Sequence, residues 1–388
     1  MTLLQPLLGE TARRVHHIRW DEARVLAGPD AIALSVADMD FAAPESVIAD
    51  IVSAASQGSF HYTSLSPAFY QSVSDWFAAR HGWEFAPDQI VAVGRVVEAL
   101  PAVLRDLTEP GAKIIVPMPA YSPIPNAITA IGREVVPWDL RLVAGYTFDF
   151  EALAALLDQG AQALVLTNPH NPTGRVWTVE ELTRVAKLAE AYGVLVISDE
   201  VHADLLRTGQ RFTPYLTCAD ENAHAISLVS PGKTFNMAGL ETANMIVPNP
   251  DLRASVRTAV EAAGTHNPRF FTETATIAAY QNGAPWLDEL LGLLDHHVEL
   301  VHQELAQNLP VVRLIEPEGT YLGWLDLTGL GRGDQEVQDA LIQSGLVLSP
   351  GTSFGRGGCG FMRMNLAVPT ATLTKGLDRL TRALQPLS

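Results

Sequence analysis

Three polar segments of the sequence each follow a short apolar run, and each contains residues that could take part in covalent or acid–base chemistry. The turn NPHNPTG spans residues 168–174 after ALVLT, the acidic segment SDEVH spans 198–202 after VLVI, and SPGKTF spans 230–235 after AISLV. In open α/β sheets, ligands bind beyond the carboxyl ends of the strands. The three segments therefore predict one site that brings together an amide, a carboxylate and a lysine.

Each segment taken alone also has a purely structural interpretation. NPHNPTG could be a proline-braced turn, an acid at a strand end could cap a helix, and a lone lysine could be a solvated surface charge. Their order and their placement at strand ends are more specific than any one of them, and favour the functional interpretation.

Short apolar runs alternate with helical segments between about residues 90 and 230, and these are the elements that would position the site. Near-continuous apolar runs are typical of buried parallel strands. One helix is legible in detail, because Thr178 and Glu181 fit a capping box and Gly193 supplies a C-terminal stop. The pattern predicts an α/β fold whose large domain has a mainly parallel sheet flanked by helices. The strand-like runs are IVAVG, KIIVPMP, REVVPWDL, AQALVLTNP, GVLVISDE and AISLVS.

Beyond about residue 285 the pattern changes to that of a smaller α+β domain. A long helical segment precedes the strand-like TYLGWLDL, a helix is expected around 336–343, and FMRMNLAV leads to a final helix with Thr370 as its N-cap. The N-terminal segment is expected to be irregular and to pack on this small domain. The predicted boundaries are 1–45 for the N-terminal segment, 46–284 for the large domain and 285–388 for the small domain.

The overall charge limits the classes of partner. The chain has 43 acidic and 26 basic residues, a net charge of −17, which argues against nucleic acid or an anionic membrane as a partner. The N-terminus MTLLQPLLGETARR has neither a basic flank nor a small-residue cleavage site, so we expect a cytoplasmic protein without a signal peptide. Cys218 and Cys359 lie far apart and in no metal-like spacing, so we expect no metal site.

The three segments together resemble the fold-type-I enzymes of pyridoxal 5'-phosphate (PLP), the aspartate aminotransferase superfamily, over roughly residues 30–385. The resemblance implies that PLP is carried as a Schiff base on Lys233. It also implies that Asp199 pairs with the pyridine nitrogen and that Asn171 bonds the ring hydroxyl. Tyr121, in PMPAYSP, would stack on the ring face.

The same resemblance implies a phosphate site at the turn that opens the helix EALPAVLRDL. The backbone N–H groups of Val96 and Val97 would bind the phosphate at the helix N-terminus, and Ser230 would add its hydroxyl. Pro101 would then have to lie near the first turn, where proline is tolerated. Tyr62, in FHYTSLSP, matches a tyrosine that reaches the phosphate of the neighbouring subunit, which implies a homodimer with shared active sites.

Arg363, in FMRMNLAVP, matches the arginine that binds the α-carboxylate of the substrate. An arginine inside an apolar strand needs a partner, because burying an unpaired guanidinium is costly. The resemblance adds Asn171 and the backbone of Ala37, beside VADMDF, to the substrate site.

Two residues favour one branch of this superfamily. Its aminotransferases usually have tyrosine three residues after the aspartate and arginine eight residues after the lysine, where this sequence has His202 and Glu241. Both departures resemble the cystathionine β-lyase and cystalysin-type C–S lyase branch. So do the segments VADMDF, WFAARHGWE, SPGKTFNMAGL and GTYLGWLD.

Some positions depart even from that branch. Gly232 replaces the usual serine before the lysine, and Arg95 stands where glycine is usual in the phosphate turn. Arg95 either adds positive charge at the phosphate or points to solvent. His202 either neighbours the ring hydroxyl, as a cofactor-binding residue, or is a core histidine.

The resemblance implies a lyase of amino-acid metabolism that works by α,β-elimination. Lys233 and Tyr121 are the expected catalytic residues, and Lys233 would remove the Cα proton before a thiolate leaves Cβ. Expected substrates are cystathionine, cystine or S-alkyl cysteines, with pyruvate and ammonia as the other products. A class I/II aminotransferase that uses the same residues is the alternative, and a PLP-binding regulatory protein is a third interpretation.

Overall fold

The largest element is a seven-stranded sheet, seen in a computed structural model that describes residues 2–7, 16–264 and 267–388. In chain order, the strands of the described residues are β1 (Ile32–Ala33), β2 (Ile90–Val93), β3 (Lys113–Met118), β4 (Glu134–Asp139), β5 (Arg141–Leu142), β6 (Tyr146–Thr147), β7 (Ala163–Thr167), β8 (Leu195–Asp199), β9 (Ala225–Val229), β10 (Ala243–Ile246), β11 (Arg313–Ile315), β12 (Leu322–Asp326), β13 (Leu346–Val347), β14 (Ser349–Pro350) and β15 (Phe361–Asn365). The α-helices are α1 (Ile18–Ala27), α2 (Glu45–Ser56), α3 (Pro67–His81), α4 (Val96–Leu107), α5 (Pro123–Ala130), α6 (Phe150–Asp158), α7 (Val179–Tyr192), α8 (Pro231–Thr234), α9 (Pro250–Ala262), α10 (Thr272–Asn282), α11 (Ala284–Asn308), α12 (Asp334–Gln343) and α13 (Thr370–Leu384).

The sheet has the strand order β2-β10-β9-β8-β7-β3-β4, and every pair is parallel except the two that involve β10. All residues of β7, β8 and β9 are buried, which explains their near-continuous apolar sequences. Helices α4, α5 and α9 pack on one face and α6 and α7 on the other. The predicted α/β fold with a mainly parallel sheet is confirmed.

A second sheet of four antiparallel strands, in the order β11-β12-β15-β14, lies in the C-terminal part of the chain. Strand β1 pairs in parallel with β13, so the N-terminal segment packs on this part. The expected smaller α+β unit is therefore present. The boundaries at residues 45/46 and 284/285 stay a prediction, although α11 begins at Ala284.

The predictions for both ends of helix α7 are confirmed. The hydroxyl of Thr178 accepts a hydrogen bond from Glu181 N–H, and the Glu181 carboxylate accepts one from Thr178 N–H. Gly193 ends α7 in the left-handed conformation with a φ of 63°. Both features follow from side chains that compete for the free backbone groups at a helix end.

Three local predictions were wrong. The N-terminal segment contains the helix α1, whose only buried residues are Arg19 and Ala23, so it shows no apolar stripe in the sequence. Pro101 is the sixth residue of α4 and not part of its first turn, so the carbonyl of Val97 lacks its usual donor. Thr370 is the first residue of α13, and the N-cap position is occupied by Pro369. The Thr370 hydroxyl is hydrogen-bonded to the ring of the buried His297 at 2.9 Å, so it is not used to cap the helix.

One strand of the seven-stranded sheet was missed. β10, with the sequence ANMI, is only four residues long and contains a buried asparagine, Asn244. It is antiparallel to both of its neighbours, so it lacks the strand–helix–strand context that revealed the others. No helix of the described residues is long and apolar enough to cross a bilayer.

Asp204 connects helix α3 to the lysine-bearing helix α8. Its carboxylate accepts hydrogen bonds from Trp76 Nε1 at 3.0 Å, His81 Nε2 at 2.7 Å and Thr234 Oγ1 at 2.7 Å. Burial alone would raise the pKa of Asp204, but the hydrogen bonds it accepts, above all that from His81, lower it. Thr234 directly follows Lys233, so the WFAARHGWE segment acts on the position of the lysine.

We predict that Asp204→Asn lowers the free energy of unfolding by about 2–4 kcal/mol, because an amide nitrogen would face buried donors. Denaturant unfolding measures this loss. The matched control is Asp288→Asn, which breaks an exposed 2.8 Å ion pair with Arg80 on the same helix and should cost less than about 1 kcal/mol. Equal losses in the two variants would show that the Asp204 network adds nothing beyond a surface contact.

Candidate active site

The amine of Lys233 lies at the carboxyl end of the parallel sheet. Helix α8, which carries it, directly follows β9, and the Ser230 hydroxyl caps this helix by accepting from Gly232 N–H at 3.0 Å. The Lys233 Nζ donates a hydrogen bond to the carbonyl oxygen of Ala37 at 2.7 Å. The lysine is thereby aimed across the sheet edge at the N-terminal segment.

The surroundings of this amine favour its neutral form. Burial is the main cause that lowers the pKa of Lys233. The charge of Asp38 opposes the shift, that of Arg363 adds to it, and that of Asp199 opposes it. A lysine amine becomes a nucleophile or a base only when it loses its proton, so this environment suits both roles.

Asp199 is the last residue of β8 and is buried. Burial raises the pKa of its carboxyl to about 6, against the Val201 N–H and the charge of Lys233, which lower it. The carboxylate accepts one long hydrogen bond, from Val201 N–H at 3.4 Å. A buried carboxylate with so few donors is well suited to bind a cationic ring nitrogen.

Arg363, in the middle of β15, is buried and is held by groups from three parts of the chain. Its Nη1 donates to Asn171 Oδ1 at 2.9 Å, and its Nη2 donates to the Ser35 carbonyl at 3.2 Å and to Ser349 Oγ at 3.4 Å. The guanidinium also lies over the Phe354 ring, 4.8 Å from its centroid.

These contacts leave Arg363 without a carboxylate partner among the described residues. Its Nε is buried without a hydrogen bond, and burial lowers its pKa to about 10. An incompletely paired guanidinium in an apolar surrounding is costly unless an anion joins it. The α-carboxylate of an amino acid, bound through two parallel hydrogen bonds, would meet this need.

Tyr121 and Asn171 lie close to these groups. Tyr121 follows β3 and is partly buried. Burial is the main cause that raises the pKa of its hydroxyl; the charge of Arg363 lowers this pKa and the charge of Asp199 raises it. Asn171 is buried in the turn after β7, where its oxygen is used by Arg363 and its amide nitrogen bonds no other described residue. Both side chains are available to a flat ligand between Lys233 and Arg363.

His202 is buried in the site and is neutral. Burial lowers its pKa to about 3, and the nearby charges of Lys233 and Arg363 add to the shift. Its Nδ1 has no hydrogen-bond partner in the described chain, and its ring lies 5.9 Å from that of Tyr321. The structure thus places His202 beside the reactive groups, and its free nitrogen is available to a ligand.

Tyr321 was missed by the sequence analysis. It is buried immediately before β12, and its hydroxyl donates to the Ala37 carbonyl at 2.9 Å. The motif GTYLGWLD gave the only signal, and its tyrosine was indistinguishable from a core aromatic residue.

The protein groups that are predicted to bind the phosphate also lie at this edge of the sheet. α4 begins at Val96, and no acceptor in the described residues bonds the N–H groups of Val96 and Val97. The Ser230 hydroxyl donates its one hydrogen to the Thr242 carbonyl at 2.6 Å, so its role at a phosphate stays a prediction. Free N–H groups at a helix N-terminus form a suitable phosphate site.

Arg95 neither points freely into solvent nor lies alone at the phosphate turn. Its guanidinium pairs with Glu241, which also accepts a 2.9 Å hydrogen bond from Arg269 Nε. Glu98 lies 3.8 Å from Arg95 and 3.7 Å from Arg269. Arg95, which departs from the expected phosphate turn, and Glu241, which departs from the aminotransferase pattern, therefore form one ion pair.

Tyr62 does not reach this site within its own chain. Its side chain is 90% exposed, on the segment between α2 and α3. A groove of about 880 Å³ continues from the phosphate turn at Gly94 along β2 to Thr63, next to Tyr62. The role of Tyr62 at a neighbouring subunit and the contact of Ala37 with a carboxylate stay predictions.

The residues that would hold PLP fit that group. Lys233 offers an amine whose pKa is lowered by burial, Asp199 a buried carboxylate with one long hydrogen bond among the described residues, and the start of α4 N–H groups without an acceptor among them. These groups match an aldehyde, a cationic ring nitrogen and a phosphate respectively. Among the described residues, no cluster of three or more histidine, cysteine or acidic side chains is placed to hold a metal ion.

We predict that Arg363→Lys lowers kcat/KM for an S-alkyl cysteine while PLP stays bound, since lysine cannot form two parallel hydrogen bonds. The loss of transition-state stabilisation calculated from kcat/KM should be about 2–5 kcal/mol. Steady-state kinetics and cofactor absorbance check the two parts. The control is Arg356→Lys, whose parent arginine forms a 2.7 Å exposed ion pair with Asp139 and should be dispensable. Near-normal kcat/KM in Arg363→Lys would mean that the carboxylate is bound elsewhere.

Comparisons with known proteins identify the family of the chain. The family model for aminotransferase class I and II matches residues 29–380. The chain is 37% identical over 372 residues to cystathionine beta-lyase PatB of Bacillus subtilis (strain 168), covering 95% of this chain and 96% of PatB. It is 32% identical over 373 residues to protein MalY of Escherichia coli (strain K12), covering 95% of each. The solved structure of cystalysin from Treponema denticola, which contains a pyridoxal 5'-phosphate cofactor, matches all of both chains with a TM-score of 0.95 and 29% identity.

Proposed function

Because the chain belongs to the aminotransferase class I and II family, we propose that it is a PLP-dependent C–S β-lyase. It cleaves cystathionine or a related cysteine S-conjugate by α,β-elimination to a thiol, pyruvate and ammonia. The observation that carries this proposal is the buried Lys233 amine lying near both Asp199 and the incompletely paired Arg363. The similarity to PatB over nearly the whole chain supports the lyase in preference to an aminotransferase.

PLP, when bound, supplies an electron sink for the pair of electrons that stays behind when a bond at Cα breaks. The residues of the chain orient the substrate and move its proton. Arg363 binds the α-carboxylate and so fixes the orientation of the amino acid. The Lys233 amine would take the Cα proton when it is not bonded to the cofactor. Asp199 would hold the ring nitrogen protonated, and Tyr121 would cover one face of the ring.

The two other functions expected from the sequence differ in what they predict. An aminotransferase would use the same groups up to proton removal but would release a 2-oxo acid that still carries the side chain of the substrate. A purely regulatory PLP-binding protein would have no need for a basic lysine beside a carboxylate-binding arginine.

We predict that the purified PLP-loaded protein releases pyruvate and ammonia in equal amounts from cystathionine or S-alkyl cysteines, and that Lys233→Ala abolishes this release. The expected loss is at least about 10³-fold, since both the cofactor linkage and the base are removed. Pyruvate is measured with a coupled dehydrogenase. Transfer of the amino group to an added 2-oxo acid without pyruvate release would favour the aminotransferase instead.

We also propose that the active protein is a homodimer with shared sites. The exposed Tyr62 and the 880 Å³ groove beside the phosphate turn support a partner that supplies its own Tyr62 to the phosphate. The cytoplasmic location and the domain boundaries expected from the sequence stay predictions.

Mixing Tyr62→Phe with Lys233→Ala tests the shared site. In a hybrid dimer one site carries both defects and the other is intact, so at limiting PLP random mixing should restore about a quarter of wild-type activity. Each variant alone should stay well below that level. Activity that is simply the mean of the two parents, or an active monomer in sedimentation, would rule out the shared site.

A further inference from the structure

The carbonyl oxygen of Ala37 accepts two hydrogen bonds in the centre of the site. The Lys233 Nζ donates at 2.7 Å and the Tyr321 hydroxyl at 2.9 Å. A carbonyl oxygen has two lone pairs, so these donors occupy its whole accepting capacity. The two side chains are thereby coupled, although Lys233 lies in the short helix after β9 and Tyr321 immediately precedes β12.

The position of this carbonyl is fixed by its neighbours. Asn365 Nδ2 donates to the Val36 carbonyl at 2.7 Å and also to the Asp38 carbonyl. Arg19 Nη1 donates to the Asp38 carbonyl at 3.0 Å. The peptide groups on both sides of Ala37 are therefore held, and its oxygen cannot turn away from Lys233 or Tyr321.

We propose that Tyr321 is a positioning residue that keeps the free Lys233 amine weakly hydrogen-bonded, which favours its neutral form, by occupying half of the Ala37 carbonyl. Each donor on a shared carbonyl reduces the negative charge that the other one sees. An ammonium gains more from a strong acceptor than an amine does, so a carbonyl that is already engaged favours the amine. Burial raises the pKa of the Tyr321 hydroxyl well above its usual value, so this group stays a donor.

The free amine is the form of Lys233 before PLP attaches, and again after a substrate amine has taken its place. In the first case the amine lone pair would bond to the aldehyde carbon of PLP, and the aldehyde oxygen would leave as water. In the second the Cα–H bond breaks, its electron pair stays on the conjugate of substrate and cofactor, and the proton moves to Nζ. Both steps require a neutral Lys233, so Tyr321 should affect both.

Other charged groups also face this pair. Asp38, Arg363 and Asp199 act on Lys233, and Lys233 in turn acts on His202. Asp38, Arg363, Arg19 and Tyr121 act on Tyr321. All of them remain when only the Tyr321 hydroxyl is removed. The pKa of Asp199 is about 6 and that of His202 about 3, so measurements above pH 7 avoid the titration of both.

The test is the rate at which the cofactor-free protein takes up PLP, measured from pH 7 to pH 10 by the absorbance of the lysine-bound cofactor. In Tyr321→Phe the Ala37 carbonyl becomes a stronger acceptor for Lys233, so the pKa of Lys233 should rise. We expect the midpoint of the pH profile to move up by about 0.5–1 unit. The rate below both midpoints should fall about threefold to tenfold, and the two profiles should converge above both midpoints.

The control is Tyr146→Phe. This change removes a buried hydroxyl of β6 that accepts a hydrogen bond from Nε1 of Trp324, in β12, at 3.1 Å. Its profile should match that of wild type. A Tyr321→Phe profile that is unchanged, uniformly lowered at every pH, or moved to lower pH would overturn the proposal. A uniform loss is what a merely structural role would produce.

Placing 3-fluorotyrosine at position 321 by codon suppression gives a test of opposite sign without loss of packing. Its more acidic hydroxyl is a stronger donor, so the midpoint should move to lower pH; a shift in the same direction as in Tyr321→Phe would contradict the shared-carbonyl argument. Because no sulfur amino acid is used, failure of the proposed lyase activity would not affect either measurement.

Discussion

The burial of one guanidinium, that of Arg363, sets the requirement that the rest of the site meets. An isolated buried charge is costly, so oxygen atoms must be brought to it from wherever the chain can supply them. Here they come from Ser35 in the N-terminal segment, from Asn171 in the turn after β7 and from Ser349 in β14. The N-terminal segment and the two sheets must therefore converge at Arg363. Ala37, two residues after Ser35, is thereby brought within reach of Lys233.

The parts of the site that could be predicted are those that local sequence determines. Asp199 ends the buried strand β8, Asn171 and Lys233 lie four residues beyond the ends of β7 and β9, and parallel neighbours end at the same edge of a sheet. Knowing the strands was therefore enough to bring these three residues together. Arg363 was predictable for another reason, since a charged residue inside an apolar strand stands out from its surroundings.

The parts that could not be predicted depend on contacts between distant segments. Tyr321 meets Ala37 across 284 positions, Arg95 meets Glu241 across 146, and Trp76 meets Asp204 across 128. None of these residues differs in its local pattern from an ordinary core aromatic or surface charge. The strand β10 was missed for a related reason, because its place between β2 and β9 is set by pairing and not by its four residues.

The pairing of β1 with β13, and of the Ser35 carbonyl with Arg363 across 328 positions, has a consequence for the order in which the protein can fold during synthesis. All seven strands of the large sheet are made before residue 250, so this sheet can form while the ribosome is still translating. The N-terminal segment must wait, because the strand and the arginine that bind it are made last. A chain truncated before β15 would therefore still contain every strand that carries Lys233, Asp199 and Asn171, but it would lack Arg363 and a closed site.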